Sequence, residues 1–338
     1  MHYRFCFIVP VYNASNVLHR SFNSIFSQNY KDLCVIAIND GSTDNSFDLL
    51  KEFECHDNFY LLNKKNGGAS SARNFGLNSE IVKNCDYISF IDADDWIPSD
   101  YLDIISSLLE KESVDAIYCK NTVCKNYDEK PEKLLLAKEK IDGKTALDKI
   151  ISSNISRLLM GKFWKKEIWE NIRFEEDIKW CEDNLACIFA TSKCQNVLLS
   201  NYNGYCLNRI STQTSLTRSK FTNNKIIDSL VADKKLLTNF KDLDYFESIK
   251  DLLYFEIADN FLSMLPRFKW KQMNEEQKHF VKQYRKDFNK LKILKSYKPN
   301  SKNNKMKKIF YRIFPHLYIP LMKVYLHLNK NKYRYIVD

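Results

Sequence analysis

The stretch Tyr87-Ile88-Ser89-Phe90-Ile91-Asp92-Ala93-Asp94-Asp95 carries a short apolar run straight into three carboxylates, and residues 99–110 behind it have helical spacing. A strand that ends in polar residues and turns into a helix is the repeating unit of an α/β sheet. Working outward, the unit recurs. Residues 5–9, 34–38 and 59–62 read as strands, residues 15–27, 44–53 and 69–78 as helices, and residues 116–119 as a further strand. The alternation predicts a Rossmann-like α/β fold, a mostly parallel sheet flanked by helices. Such sheets take ligands beyond the carboxyl ends of their strands. Polar clusters fall at those turns, in residues 10–13, 39–44, 64–74 and 92–95. Four clusters on one rim predict a polar ligand.

Each cluster has a chemistry. Three carboxylates within four residues repel one another and are costly to bury, so Asp92, Asp94 and Asp95 call for a cation. A hard divalent ion, Mg²⁺ or Mn²⁺, fits them, held by one or two carboxylates together with substrate phosphates. The same acids also suit a helix N-terminus, since Pro98-Ser99-Asp100 opens the next helix. Asn39-Asp40-Gly41-Ser42-Thr43-Asp44 ends in a cap for a helix from Asn45, but Asp40 precedes the cap and suits a base N–H or a ribose hydroxyl. In residues 66–74, Gly67 and Gly68 allow close backbone approach to a ligand, and Arg73, one turn into the helix, suits a diphosphate. Neither G-x-x-x-x-G-K-[ST] nor a G-x-G-x-x-G after the first strand occurs, which excludes an NTPase P-loop and the dinucleotide fingerprint.

Composition bounds the rest. The chain has 338 residues, 44% hydrophobic, enough for the core of one large domain or two modest ones. Seven Gly and seven Pro leave little for long flexible linkers. Ten cysteines without a C-x-x-C pair argue against a zinc ribbon and for ordinary buried thiols in a reducing compartment. The six histidines show no ligand spacing. The N-terminus has no long apolar run or cleavage site, so a cytoplasmic active site is expected. Charge is uneven: residues 266–338 hold twenty Lys and Arg against Glu275, Glu276, Asp287 and Asp338, inside a net charge of +10.

With the clusters in this order the sequence resembles the family 2 glycosyltransferases, inverting enzymes of the GT-A fold. The matching residues are Ile8-Val9-Pro10-Val11-Tyr12-Asn13, Asn39 to Asp44, Asn66-Gly67-Gly68 through Ala72-Arg73-Asn74-Phe75-Gly76, and Phe90 to Asp95. Arg173-Phe174-Glu175 followed by Trp180-Cys181-Glu182-Asp183 looks like the family's Glu-Asp signature. The resemblance spans about residues 3–218 and departs in Asn39, where the family often has Asp. It implies a UDP-sugar donor, with Asp40 on the uracil or ribose and Pro10, Val11 and Asn13 lining the base pocket. Arg73 would lie near the diphosphate, Asp92 would face the ribose, and Asp94 would hold Mn²⁺ or Mg²⁺. Asp183, with Glu182 beside it, would be the general base. Residues 205–209 with Ser215 and Thr217 would form a closing loop, and Arg209 would neutralise the leaving UDP. One displacement with one base inverts the anomeric carbon, through an oxocarbenium-like state.

This divides the chain into a catalytic domain over 1–218, a helical region over 219–300 and a basic amphipathic tail over 301–338. The helical region suits either homodimerisation or a cover for the sheet. Residues 309–328 include Arg312, His316, Lys323, His327 and two prolines, so they do not read as a spanning helix. They suit an anionic membrane surface, or a helix packed on the body, and no nucleic-acid motif accompanies them. The expectation is a transferase at the inner face of a bacterial membrane, building capsule, exopolysaccharide or lipooligosaccharide on a glycan or lipid-linked acceptor. The competing readings are a nucleotidyltransferase and an inactive membrane-bound scaffold. Trp164, Trp169 and Trp180 suit either an acceptor sugar or the core.

Overall fold

The computed structural model describes residues 3–110, 112–126, 137–210 and 222–291. The chain divides into two compact units, one of residues 1–177 and 182–212, the other of residues 178–181 and 213–338.

The first unit opens with β1 (Phe5–Val11), α1 (Leu18–Phe26), β2 (Leu33–Asp40), α2 (Ser46–Lys51), β3 (Phe59–Lys64), α3 (Ala69–Leu77), β4 (Tyr87–Phe90) and α4 (Tyr101–Leu109). It continues through β5 (Ala116–Tyr118), β6 (Asn121–Cys124), β7 (Lys138–Asp142), α5 (Gly143–Ile151), β8 (Lys162–Lys165), α6 (Glu182–Ser192), β9 (Asn196–Ser200) and β10 (Tyr205–Asn208). Eight strands form one sheet in the order β3-β2-β1-β4-β8-β5-β9-β7. β1 pairs in parallel with both β2 and β4, and β2 with β3. The chain therefore builds outward from β1 to β3 and then returns to β4, which makes the β1/β4 gap a switch point open to a ligand. β1 and β2 are buried almost throughout, as central strands covered on both faces must be.

The expected strands and helices of the first 120 residues are present; β1, β2 and β3 run two or three residues longer than expected, β4 and β5 one shorter, and the four helices one to four shorter. Beyond them, β8 runs antiparallel between β4 and β5, β7 runs antiparallel to β9, and β6 and β10 form a small parallel pair. These strands carry little signal because they are only four or five residues long, and β7 is polar as well: it reads Lys-Glu-Lys-Ile-Asp, with only Ile141 buried. Close packing is visible at Gly76 of α3, where a Cβ would stand 2.8 Å from Ile8 Cγ2 and 2.9 Å from Ile38 Cδ1. The helix lies on the sheet because that residue has no side chain. Trp164 and Trp169 are core residues: Trp169 stacks on Phe174 and meets Phe90 edge-on.

The second unit contains α7 (Asn223–Phe240), α8 (Phe246–Met264) and α9 (Glu275–Lys290). Thr222 caps the first and an Asn274–Gln277 capping box starts the last. Asp233 accepts from Asn260 Nδ2 at 2.6 Å and from the Tyr284 hydroxyl at 3.2 Å. Trp180 lies half-buried under the Lys225 ammonium rather than in the sheet's core. No helix among the described residues is long and apolar enough to cross a membrane. The basic tail over 301–338, Ser215 and Thr217 lie outside the described residues.

Candidate active site

The four polar clusters are tied to one another at the carboxyl ends of β1, β2, β3 and β4. Asn13 takes the left-handed conformation (φ 47°), which Asn tolerates better than most residues. Its Oδ1 accepts from Thr43 N at 2.8 Å, its Nδ2 donates to Thr43 Oγ1, and its own N–H donates to Ser42 Oγ. Ser15 N donates to Asp44, and Ala14 N to Ser46 Oγ. Burial works against the charge of Asp44, but donors from Ser46 and Ser15 outweigh it and hold the carboxyl at about 2. Pro10 is half-buried and Val11 fully buried beside this loop, with Tyr12 exposed at the tip.

Asp40, the last residue of β2, is 2% exposed. Its carboxylate accepts from Lys64 Nζ at 2.7 Å, Gly67 N at 3.0 Å and Gly68 N at 2.7 Å. The two glycines thus bring backbone up to Asp40 itself, where the sequence suggested approach to a ligand. Gly41 is required beside it: φ is +67°, and a Cβ would lie 2.7 Å from Asn66 N. Lys64, on β3, is the partner that sequence reading missed. The parallel register Asp40↔Lys64 could have disclosed it, but only once the strands were aligned.

Arg73 also stands differently from expectation. It is buried, and its guanidinium donates to Asp92 Oδ1 at 2.9 Å and to Glu182 Oε1 at 3.5 Å. Burial opposes its charge, yet Asp92, Glu182 and Asp183 together raise its affinity for the proton, so the cation persists. Arg73 is held by these acids rather than aimed outward at a diphosphate. In doing so it joins the turn after β4 to the start of α6, with Arg73 and Glu182 themselves 109 positions apart.

The acidic turn is not uniformly exposed. Asp95 is buried, its Oδ2 accepting from the Tyr205 hydroxyl and its Oδ1 from Asn208 N, both at 2.8 Å. Burial, with the charges of Asp92 and Asp94, raises its pKa well above the usual carboxylate range. Tyr205 also accepts from Asp92 N at 3.1 Å, so one phenol braces both ends of the turn. One carboxylate oxygen from each of Asp92, Asp94 and Asp95 lies within 4.8 Å of the others. The donor set fits a hard divalent cation. Since both oxygens of Asp95 have donors and one of Asp92 faces Arg73, Asp94 and the second oxygen of Asp92 are the groups that could hold it. Arg209 follows β10 on the surface, its N–H donating to Cys124 O.

Glu182 and Asp183 begin α6. Burial and the neighbouring Asp183 charge push the Glu182 carboxyl up to about 7, against the pull of Arg73. Burial also raises Asp183, whose Oδ1 accepts from Asn184 N at 2.8 Å. Two further residues set this region and were not singled out from sequence. Asn74 exchanges hydrogen bonds with the Phe174 backbone and donates to Glu176. Lys162 is 1% exposed, its ammonium donating to the Leu158 carbonyl, which also accepts from the Cys187 thiol.

A switch-point crevice, a braced acidic turn and a partly buried acid pair at the start of α6 define a GT-A type nucleotide-sugar fold. Residues 6–172 match the sequence model described as Glycosyl transferase family 2, and that part of the chain belongs to the family. The Streptococcus pneumoniae glycosyltransferase GlyA is 40% identical over 109 residues, 32% of this chain and 15% of GlyA, so this chain spans only a small part of that relative. Staphylococcus aureus TarS residues 1–349 in complex with UDP-GlcNAc superposes with a TM-score of 0.73 at 16% identity, over 96% of this chain and 92% of that one. The mannosyltransferase PcManGT from Pyrobaculum calidifontis, in complex with GDP-Man and Mn²⁺, gives 0.51 at 14% identity over 94% and 88%. These likenesses establish the fold.

Proposed function

We propose that the protein is an inverting glycosyltransferase that moves a sugar from a UDP-sugar to a hydroxyl of a glycan or lipid-linked acceptor, in building a bacterial surface polysaccharide. The observation that carries the reading is the Arg73 bridge, which sets the nucleotide-side turn at Asp92 beside the acid pair Glu182–Asp183. The family of residues 6–172, the UDP-GlcNAc held by TarS and the kinship with GlyA support it.

In this mechanism Asp183 takes the proton of the acceptor hydroxyl as the new bond forms, and Glu182 stays on Arg73. Asp40 with the Gly67–Gly68 backbone, and Asn13 with Pro10 and Val11, form the base and ribose side. Asp94 and Asp92 would hold Mn²⁺ or Mg²⁺, which when bound supplies charge neutralisation for the diphosphate. Arg209 adds a cation at the exit of β10. The basic residues of 301–338 would meet the anionic inner face of the membrane, near a lipid-linked acceptor.

Incubation with UDP-GlcNAc, and then with other UDP-sugars, plus Mn²⁺ is expected to release UDP. Release of pyrophosphate instead, or no turnover with any UDP-sugar, would overturn the reading. Binding of the 301–338 segment to vesicles with anionic lipid should weaken as salt rises; indifference to lipid charge would remove the membrane part.

A further inference from the structure

The cysteines that look scattered in the sequence are not scattered in space. Cys6 on β1 and Cys34 on β2 are register partners on adjacent parallel strands. Cys85 ends the turn that leads into β4, the other neighbour of β1. Their three sulfurs lie within 4.8 Å of one another, and those of Cys34 and Cys85 are 3.2 Å apart. All three side chains are buried. Phe5 with Leu33 and Phe7 with Val35 alternate to the opposite face of the sheet, and the next register pair on the thiols' own face is Ile8 with Ile36. The cluster sits at the amino ends of the strands, while the acids occupy the carboxyl ends. From Cys6 to Val11 a strand rises about 16 Å, so the two sites are separate.

We infer that Cys6, Cys34 and Cys85 form a buried site for a thiophilic divalent cation of the zinc type. A Zn–S bond of about 2.3 Å places sulfurs about 3.8 Å apart in a tetrahedral site, between the 3.2 Å of Cys34 and Cys85 and the 4.8 Å within which all three sulfurs lie. Three thiolates around a divalent ion leave one net negative charge. Two cations, Arg4 and Lys166, favour negative charge on Cys85, while the Arg4 guanidinium is also paired with Asp32 at 3.7 Å. The Ile81 carbonyl accepts from the Cys85 thiol at 3.5 Å, which fixes that sulfur toward the other two. Binding would pin β1, β2 and the approach to β4 together at the end of the sheet away from the donor, and would enter with folding, since the site is closed to solvent. The inference stands or falls independently of the proposed transfer reaction.

The full chain, produced with added zinc and purified under reducing conditions, is expected to keep about one zinc per molecule through dialysis. Asp94→Asn should leave that zinc in place. A mercurial thiol reagent should release it, and Co²⁺ loaded during refolding should show near-ultraviolet sulfur-to-metal charge transfer, which carboxylate ligands do not give. Cys34→Ala and Cys85→Ala should each cut retained zinc at least tenfold, with Cys119→Ala as the control at another buried thiol. If the alanine variants fail to fold, the cobalt spectrum of the unaltered chain decides. Absence of both retained zinc and the charge-transfer band overturns the inference. So does a Cys34–Cys85 disulfide in non-reduced peptides, which would mean that the two thiols had lost two protons and two electrons to an oxidant.

Discussion

Asp183 and Glu182 are adjacent in sequence yet differ in circumstance, because Arg73 touches only Glu182. Asp183→Asn is expected to lower kcat by about 10²–10⁴-fold with little change in donor affinity, measured by steady-state kinetics and UDP-sugar titration. The pair also sets a pH dependence. With Glu182 raised to about 7, kcat/KM should climb through pH 7 as its proton leaves, and the acid limb should move to lower pH in Glu182→Gln. Stability runs the other way. A carboxyl raised from 4.5 in the unfolded chain to about 7 in the fold binds more protons when folded, so its contribution is lost as pH rises across that interval. Thermal melts at pH 5 and 8 should show this slope, and Glu182→Gln should flatten it. Tyr205→Phe removes the phenol from Asp95 and Asp92; leaving those groups short of a partner costs about 1–3 kcal/mol. It should raise the Mn²⁺ concentration needed for half-maximal activity several-fold, as read in a metal titration.

Among the elements, α3 and the segment before α6 are joined through Asn74, whose amide serves both the N–H and the carbonyl of Phe174. Asn74→Ala should cost about 2 kcal/mol, lowering Tm by roughly 4–8 °C in a thermal scan. β8 presents a different case. Burial lowers the proton affinity of the Lys162 amine, and its acceptor is a carbonyl rather than a carboxylate. Cys187, one turn after Asp183 on α6, shares that carbonyl, so the amine lies under the first turn of the helix. A buried charge without a close acid is a cost to the fold that a hydrophobic residue would relieve. Lys162→Met is expected to match or exceed the parent Tm while reducing kcat at least tenfold; a loss of Tm with unchanged kcat would make the lysine purely structural. The strands and helices up to β5 were legible because apolar runs alternate with helical spacing and each turn is marked by polar residues. β6, β7, β8 and β10 were not: β6 and β7 bury one residue each and β8 and β10 bury three of four, so none of these four- or five-residue strands shows an alternating period.

For the molecule as a whole, the sequence located the rim but not its wiring. Asp40, Arg73, Asp92, Glu182 and Asp183 were each visible as polar residues at strand ends or helix starts. That Arg73 would be buried between two acids, that Lys64 and two glycine N–H groups would occupy Asp40, and that Asp95 would turn inward depend on contacts over dozens of residues. Residue spacing carries no record of those. The same holds for Cys6, Cys34 and Cys85, whose meeting is set by strand register. At this scale the divalent ion is the testable element: chelation should abolish sugar transfer and Mn²⁺ should restore it, with melting of the described fold little affected by loss of an ion from the open turn.

Arg73 cannot serve Asp92 and Glu182 equally well at all times. When the Asp92 carboxylate is drawn toward an incoming cation and nucleotide, the guanidinium loses part of one partner and must lean on the other, strengthening its hold on Glu182. In the proposed reaction the acceptor side would then be finished only after the donor side is filled. Kinetically this means compulsory order: initial-rate patterns should show the sugar nucleotide binding first and UDP leaving last, competitive with the donor alone.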